Sequence, residues 1–337
     1  MTLTNLLTEQ ANAILAHKIV SSVQVRAIEP KAAQMAGCSM FELMQQAGKA
    51  AFQTLIQEWP EVQNILVVAG NGNNAGDGYI LATLAKQQGI NVEVVCEQPK
   101  RELAGDAKQA QLKWQKLGTK TQKFTELDYS QFDVIVDALL GTGITGEVKP
   151  TFNTVIQKIN QTHIPVLSID VPSGMHADTG QALPSCINAD VTITMVATKP
   201  GLISGIGKEC CGKVIFTDLA VGKEFFSIAR SQAQLVDWPM LQPLRARPIN
   251  GNKGTFGKLL CIGGNQGMAG AIRLTAESAL RCGVGLVKVY CHESSSLAIS
   301  AGRPEIMLTH KELEAALDWC SYCLLSNSDD ADAHTTR

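Results

Sequence analysis

Apolar residues recur at three-to-four spacing through residues 23–58, with Met40, Leu43, Met44, Ala47, Ala50 and Ala51 on one stripe, and predict helix there. The period then changes. Residues 64–70 (NILVVAG) are a short continuous apolar run closed by glycine, the pattern of a strand buried on both faces. Helix returns at 76–89, with Gly89 as its cap. A strand at 91–97 (NVEVVCE) and an amphipathic helix at 104–117 follow. Strand 132–141, helix 151–162 and strands 165–170, 190–195 and 213–220 extend the series. Continuous apolar strands alternating with helices predict an α/β fold, a parallel sheet with helices on both faces.

This first domain is read as residues 1–225. Residues 226–252 hold three prolines without periodicity and read as a linker. A second α/β unit occupies 253–325. It opens with strand 258–264, helix 267–282 and strand 285–291, then weakens after Leu308 into a helix and a short strand. Residues 326–337 form a polar tail that buries nothing.

Composition narrows the class. Hydrophobic residues make up 45% of the 337, enough for real cores, so extended disorder is excluded. The net charge of −2 argues against a nucleic-acid binder. No run approaches about 18 apolar residues, so no membrane span is expected. The N-terminus carries Glu9 and lacks a basic start before an apolar core, so it does not read as a secretory signal. The ten cysteines, several inside apolar runs, read as reduced core thiols, and a cytoplasmic protein is expected. Cys320 and Cys323 form a lone CxxC without a second pair. The six histidines show no zinc spacing, and no phosphate-binding GxxxxGK[ST] motif is present.

The candidate chemistry lies in loops that follow predicted strands, where open parallel sheets bind ligands. The first is GNGNNAGDG, residues 70–78. Its GxGxxxG spacing is one residue too long for a dinucleotide fingerprint, although Glu97 could mimic a ribose-binding acid. Its asparagines and Asp77 offer hard oxygen ligands suited to a cation. The second loop starts at Asp137 and runs through Gly141, Gly143 and Gly146 to Glu147. A carboxylate ending a buried strand either caps the next loop's N–H groups or coordinates. The third is Asp170-Val171-Pro172-Ser173-Gly174, whose turn presents Ser173 outside any GxSxG elbow. Lys199, in ATKPGL, either faces the same crevice or snorkels to the surface.

Taken with AIEP (27–30) and ELMQQAG (42–48), the segments GNGNNAGDG, VDALLGTGITGE, SIDVPSGMHADTG and ATKPGL resemble, in order, the NAD(P)H-hydrate epimerase family over residues 20–225. The resemblance implies a three-layer αβα Rossmann-like sandwich and a homodimer. It implies interconversion of the R and S hydrates of NADH or NADPH at C6 of the nicotinamide ring. The substrate would be held by Asn73, Asn74, Ala75, Gly76 and Asp77, by Gly141, Thr142, Gly143, Ile144, Thr145, Gly146 and Glu147, and by Asp170. Potassium would be held by Asn74, Asp137 and Ser173. Asp170 is the expected general acid/base and Lys199 an electrostatic assistant. The departure is Ala75, where the family has glycine; its methyl is expected to crowd the loop slightly.

Residues 253–289 resemble the start of the ADP- or ATP-dependent NAD(P)H-hydrate dehydratase, a ribokinase-like fold. The likeness ends near Leu325. The expectation is therefore an incomplete ribokinase-like fragment, a truncated bifunctional enzyme whose dehydratase is lost and whose ADP or ATP is needed only by a complete domain. The competing readings are a non-catalytic scaffold module of the same fold and an ordinary NAD-dependent dehydrogenase.

Overall fold

The computed structural model describes residues 14–124, 129–144, 146–236 and 247–325. The chain divides into two compact units, Met1–Leu241 and Gln242–Arg337.

The first unit begins with a two-residue strand β1 (Lys18–Ile19) and helix α1 (Ser22–Met35). Ser21 caps α1 through its hydroxyl, and Asp178 receives both the N–H and the hydroxyl of Ser22, at 2.6 and 2.8 Å. The helical stretch expected over 23–58 is two helices. Gly37 takes φ +74°, a conformation that ends α1, and Ser39 with Glu42 forms a capping box that starts α2 (Met40–Glu58). Hydrophobic spacing is indifferent to such a short break, so the pattern alone ran through it.

The sheet strands are β2 (Asn64–Ala69), β3 (Asn91–Cys96), β4 (Thr121–Lys123), β5 (Val134–Ala138), β6 (Val166–Ile169), β7 (Val191–Met195) and β8 (Lys213–Thr217). All pair in parallel, in the order β4-β3-β2-β5-β6-β7-β8. The connecting helices are α3 (Asn73–Gln87), α4 (Gly105–Gln115), α5 (Pro150–Gln161), α6 (Gly207–Cys210) and α7 (Gly222–Ile228). Both faces of the sheet are covered. Ile65, Val67 and Ala69 of β2 join the core beneath α1–α4, whereas Leu66 and Val68 join Ile135, Phe152 and Ile156 on the α5 side. That alternation within an unbroken apolar run is what a two-faced parallel sheet requires.

The strand order reverses between β2 and β5. Beyond such a point the loops diverge to opposite sides and leave a crevice at the carboxyl ends of the strands. Gly70 makes the close approach possible: a Cβ there would lie 1.8 Å from the Leu139 carbonyl oxygen.

Part of the expected linker belongs to this unit. Helix α7 reaches Ile228, and β9 (Ala233–Gln234) pairs antiparallel with β1. Two-residue strands leave no periodic trace in a sequence. Residues 237–246, in the rest of that linker, and the tail 326–337 lie outside the described residues.

The second unit contains β10 (Lys258–Ile262), α8 (Ala269–Arg281), β11 (Leu286–Tyr290), α9 (Ser296–Ser300), β12 (Ile306–Thr309), α10 (Leu313–Trp319) and β13 (Tyr322–Leu325). Its four strands are parallel in the order β12-β11-β10-β13. Leu259, Cys261, Ile272, Val287, Val289 and Ile299 form its core. Strand β12 and helix α9 were not anticipated. No helix among the described residues is long and apolar enough to cross a membrane. The cysteines are free thiols, six of them buried.

Candidate active site

A cavity of about 560 Å³ opens at the switch point, where the loops after β2, β5, β6 and β7 meet α1 and α2. Its first wall is the start of α3. The expected glycine loop is mostly helix: α3 begins at Asn73, three residues before the predicted start, with Gly72 at its cap and no side-chain capping bond. Ala75 and Gly76 donate to the Gly72 carbonyl at 3.1 and 3.3 Å. The Asn73 and Asn74 amides lack an intrahelical acceptor, and the positive end of α3 borders the cavity.

Asn73, Asn74 and Asp77 line the cavity. Ala75 and Gly76 do not. Both are buried, Ala75 among the core side chains and Gly76 against Met44, whose sulfur would lie 2.5 Å from an added Cβ. The helical turn explains this, because residues 75 and 76 face away from the side that carries 73, 74 and 77. The Ala75 methyl packs in the core rather than crowding the loop.

The β5 loop forms the second wall. Gly141, Thr142, Gly143, Ile144 and Glu147 line it, whereas Gly146 is exposed and Thr145 lies outside the described residues. Arg26 of α1 donates to the Thr142 carbonyl at 2.7 Å and ties this loop to the helix.

Asp137 lies beneath the floor, fully buried, and takes four hydrogen bonds. Ser168 Oγ and Ser173 N–H donate to Oδ2 at 2.9 and 2.8 Å, and the Leu139 N–H and Ser173 Oγ donate to Oδ1. Burial pushes its carboxyl up, and these four donors pull it back. The carboxylate thus caps the N–H groups of Leu139 and Ser173. Ser173 is not presented to the cavity. It is buried, turned to Asp137, and accepts from the Leu140 N–H at 2.8 Å. Gly174 makes this turn with φ +89°, its Cβ position only 2.1 Å from Ser185 O. Asn74 Nδ2 donates to Leu140 O at 2.9 Å, while its buried Oδ1 has no partner.

The centre of the site is Asp170 and Lys199. Lys199 is only 1% exposed, so it faces the crevice and does not snorkel. Its ammonium donates to Asp170 Oδ1, to Thr194 Oγ1 at 3.2 Å and to Met195 O at 2.8 Å. Asp170 has φ +69° and Val196 φ +66°. A non-glycine residue there costs on the order of 1–3 kcal/mol, a strain that concentrates at functional sites. Hydrogen bonds from Asp170 N–H to Ile193 O (2.7 Å) and from Val196 N–H to Thr217 O (2.8 Å) hold it.

The sequence reading missed Glu29 and Arg26. With Val25 they line the cavity from α1 at positions i, i+1 and i+4, a single helical face. Burial pushes the Glu29 carboxyl up to about 6, against the opposing pull of Lys199 and with added repulsion from Asp170. Burial pushes the Asp77 carboxyl well above its ordinary value, and Asp170 and Glu29 push it further. Glu97 takes a bond from Thr151 Oγ1 at 2.9 Å and lies outside the cavity lining, so it holds no ribose there. Among the described residues, no three His, Cys, Asp or Glu side chains gather to hold a metal ion.

Residues 40–201 match the family described as YjeF-related protein N-terminus, and residues 259–328 match NAD(P)H-hydrate dehydratase. The bifunctional NAD(P)H-hydrate repair enzyme Nnr of Coxiella burnetii is 40% identical over 287 residues, 84% of this chain and 58% of that protein. The protein of the same name from Escherichia coli K12 is 36% identical over 317 residues, 92% of this chain and 61% of that protein. The bifunctional NAD(P)H-hydrate repair enzyme of Leishmania braziliensis is 33% identical over 312 residues, 90% and 56% respectively. The chain thus spans about three-fifths of the length of these curated relatives. On these matches residues 40–201 are similar to the family of YjeF-related N-terminal domains and residues 259–328 to the NAD(P)H-hydrate dehydratase family.

Proposed function

We propose that the first unit interconverts the R and S hydrates of NADH or NADPH. The observation that carries this is the Lys199–Asp170 ion pair, with Asp170 in left-handed backbone, lining a cavity of about 560 Å³. The family match and the names of the relatives support the substrate.

The chemistry follows from the groups present. Epimerisation at C6 breaks and remakes a C–O bond next to the ring nitrogen, whose lone pair stabilises the intervening cation. Asp170 is placed to take a proton from the returning water. Lys199 orients that carboxylate through their ion pair, and the apolar walls from Leu43, Met44 and Leu140 exclude bulk water. The free amides at the start of α3 suit the substrate's phosphates.

Potassium is part of the reading. The unpartnered Asn74 Oδ1 is a hard, neutral oxygen beside the Leu140 carbonyl, the kind of donor such a cation takes. Asn74, Asp137 and Ser173 would hold the ion, with the buried Asp137 carboxylate also balancing its charge. The ion would supply local positive charge and fix the loops after β2, β5 and β6. We extend the proposal to a cytoplasmic homodimer, which sedimentation tests.

The test supplies R-hydrate with a separate S-specific dehydratase. Wild type should speed R-hydrate loss, and Asp170→Asn should abolish the gain. No acceleration by wild type sinks the proposal and favours a non-catalytic module. The second unit is tested by S-hydrate with ATP or ADP, read as NADH formed.

A further inference from the structure

Epimerisation has a proton requirement that the Lys199–Asp170 pair alone does not meet. The hydroxyl leaves C6 as water, taking a proton from an acid while nitrogen's lone pair forms the C=N bond. Water then adds to the other face and gives a proton to a base. The two events are on opposite faces of the ring, so two proton-handling groups are needed.

Asp170, ion-paired, serves as the base. Lys199 is not the free acid, because its three N–H bonds are already given to Asp170, Thr194 and Met195. Around this pair stand Glu29 from α1 and Asp77 from α3. Glu29 comes from a helix that precedes the sheet, whereas Asp170 and Lys199 come from loops at its strand ends.

Resting on the epimerase reading, we propose that Glu29 is the second catalytic group: its carboxyl protonates the departing C6 hydroxyl and, in the reverse direction, takes the proton from the attacking water. Microscopic reversibility then lets Glu29 and Asp170 exchange roles between the R and S directions. The raised titration of Glu29, near 6, suits this exchange, since an acid of that strength both gives and recovers a proton close to neutrality. The charges facing it are Asp77, Asp170 and Lys199, with Arg26 on its own helix.

The experiment measures kcat/KM for R-hydrate loss against pH, after subtracting the uncatalysed rate, for wild type, Glu29→Gln, Glu29→Asp and Asp77→Asn. Wild type should lose activity as pH rises through about 6. Glu29→Gln should fall about 10²- to 10⁴-fold in kcat with little change in KM, and should lack that limb. Glu29→Asp should keep the limb at reduced rate, and it decides the matter if the glutamine variant does not fold. Asp77→Asn should also keep it. The proposal is overturned if Glu29→Gln keeps the wild-type rate and profile, or if only Asp77→Asn removes the limb. An inactive wild type would instead fail the epimerase reading itself, and the role of Glu29 with it.

Discussion

Replacing Lys199 by methionine is the sharpest test of how the site is built. Methionine matches the length of the side chain and removes all three donors. Three acceptors lose a partner at once: Asp170 Oδ1, Thr194 Oγ1 and the Met195 carbonyl. Removing one member of a buried ion pair costs about 3–5 kcal/mol, because the other charge stays behind. Asp170 keeps 18% exposure, so water reaches its carboxylate and the lower end, about 3 kcal/mol, is expected. For a unit of this size that is a loss of roughly 6–12 °C in Tm. The double variant Lys199→Met with Asp170→Asn removes both charges and should recover about 1–2 kcal/mol of the loss. Asparagine also tolerates the left-handed backbone at position 170, so the second change adds little strain. Urea unfolding, followed by near-ultraviolet circular dichroism to which buried Trp114 contributes, reads the loss of stability. A Lys199→Met loss below about 1 kcal/mol, or simple additivity in the double variant, would refute the view that Asp170 is held by this pair.

Further outcomes are expected. Glu29 binds its proton more tightly in the fold, near 6, than in the unfolded chain, near 4.5, so its contribution to stability falls as pH rises across that interval. Glu29→Gln should therefore match wild type near pH 4.5 and exceed it by about 1–2 kcal/mol at pH 7.5, a difference that thermal melts at both values will show or exclude. Gly174→Ala sets a Cβ 2.1 Å from Ser185 O in left-handed backbone and should cost more than about 2 kcal/mol, read as loss of soluble protein or a lowered Cm. Potassium at about ten times its Kd should stabilise the chain by about 1.4 kcal/mol, and Asn74→Ala should erase the dependence on potassium, whatever its own effect on the baseline. Equal melting of wild type in potassium and choline chloride would count against that site.

Much of this was legible in the amino-acid order. The apolar runs 64–70 and 132–141 read as buried strands because burial on both faces suppresses alternation, and both are strands. The polar loops stood out because acids such as Asp137 and Asp170 end apolar strands, where an unpartnered charge is costly. Other features were hidden. The fate of a residue in the first turn of α3 depends on a helical phase that begins at Asn73, and that start fixes why Asp77 faces the cavity and Gly76 does not.

The sequence by itself determined the alternation of strand and helix and the loops that carry polar groups, because hydrophobic period and glycine placement are local properties of the chain. Tertiary structure decided the rest. Strand order brings β5 beside β2 and so joins loops that are some seventy residues apart, as the contact of Gly70 with Leu139 shows. It also decided that Lys199 is buried against Asp170, that Asp137 accepts from four donors, and that Glu29 reaches a site built from residues far along the chain. The physical reason is that charge pairing and desolvation depend on distance in space, and distance in space follows from how the strands are ordered rather than from their spacing in sequence.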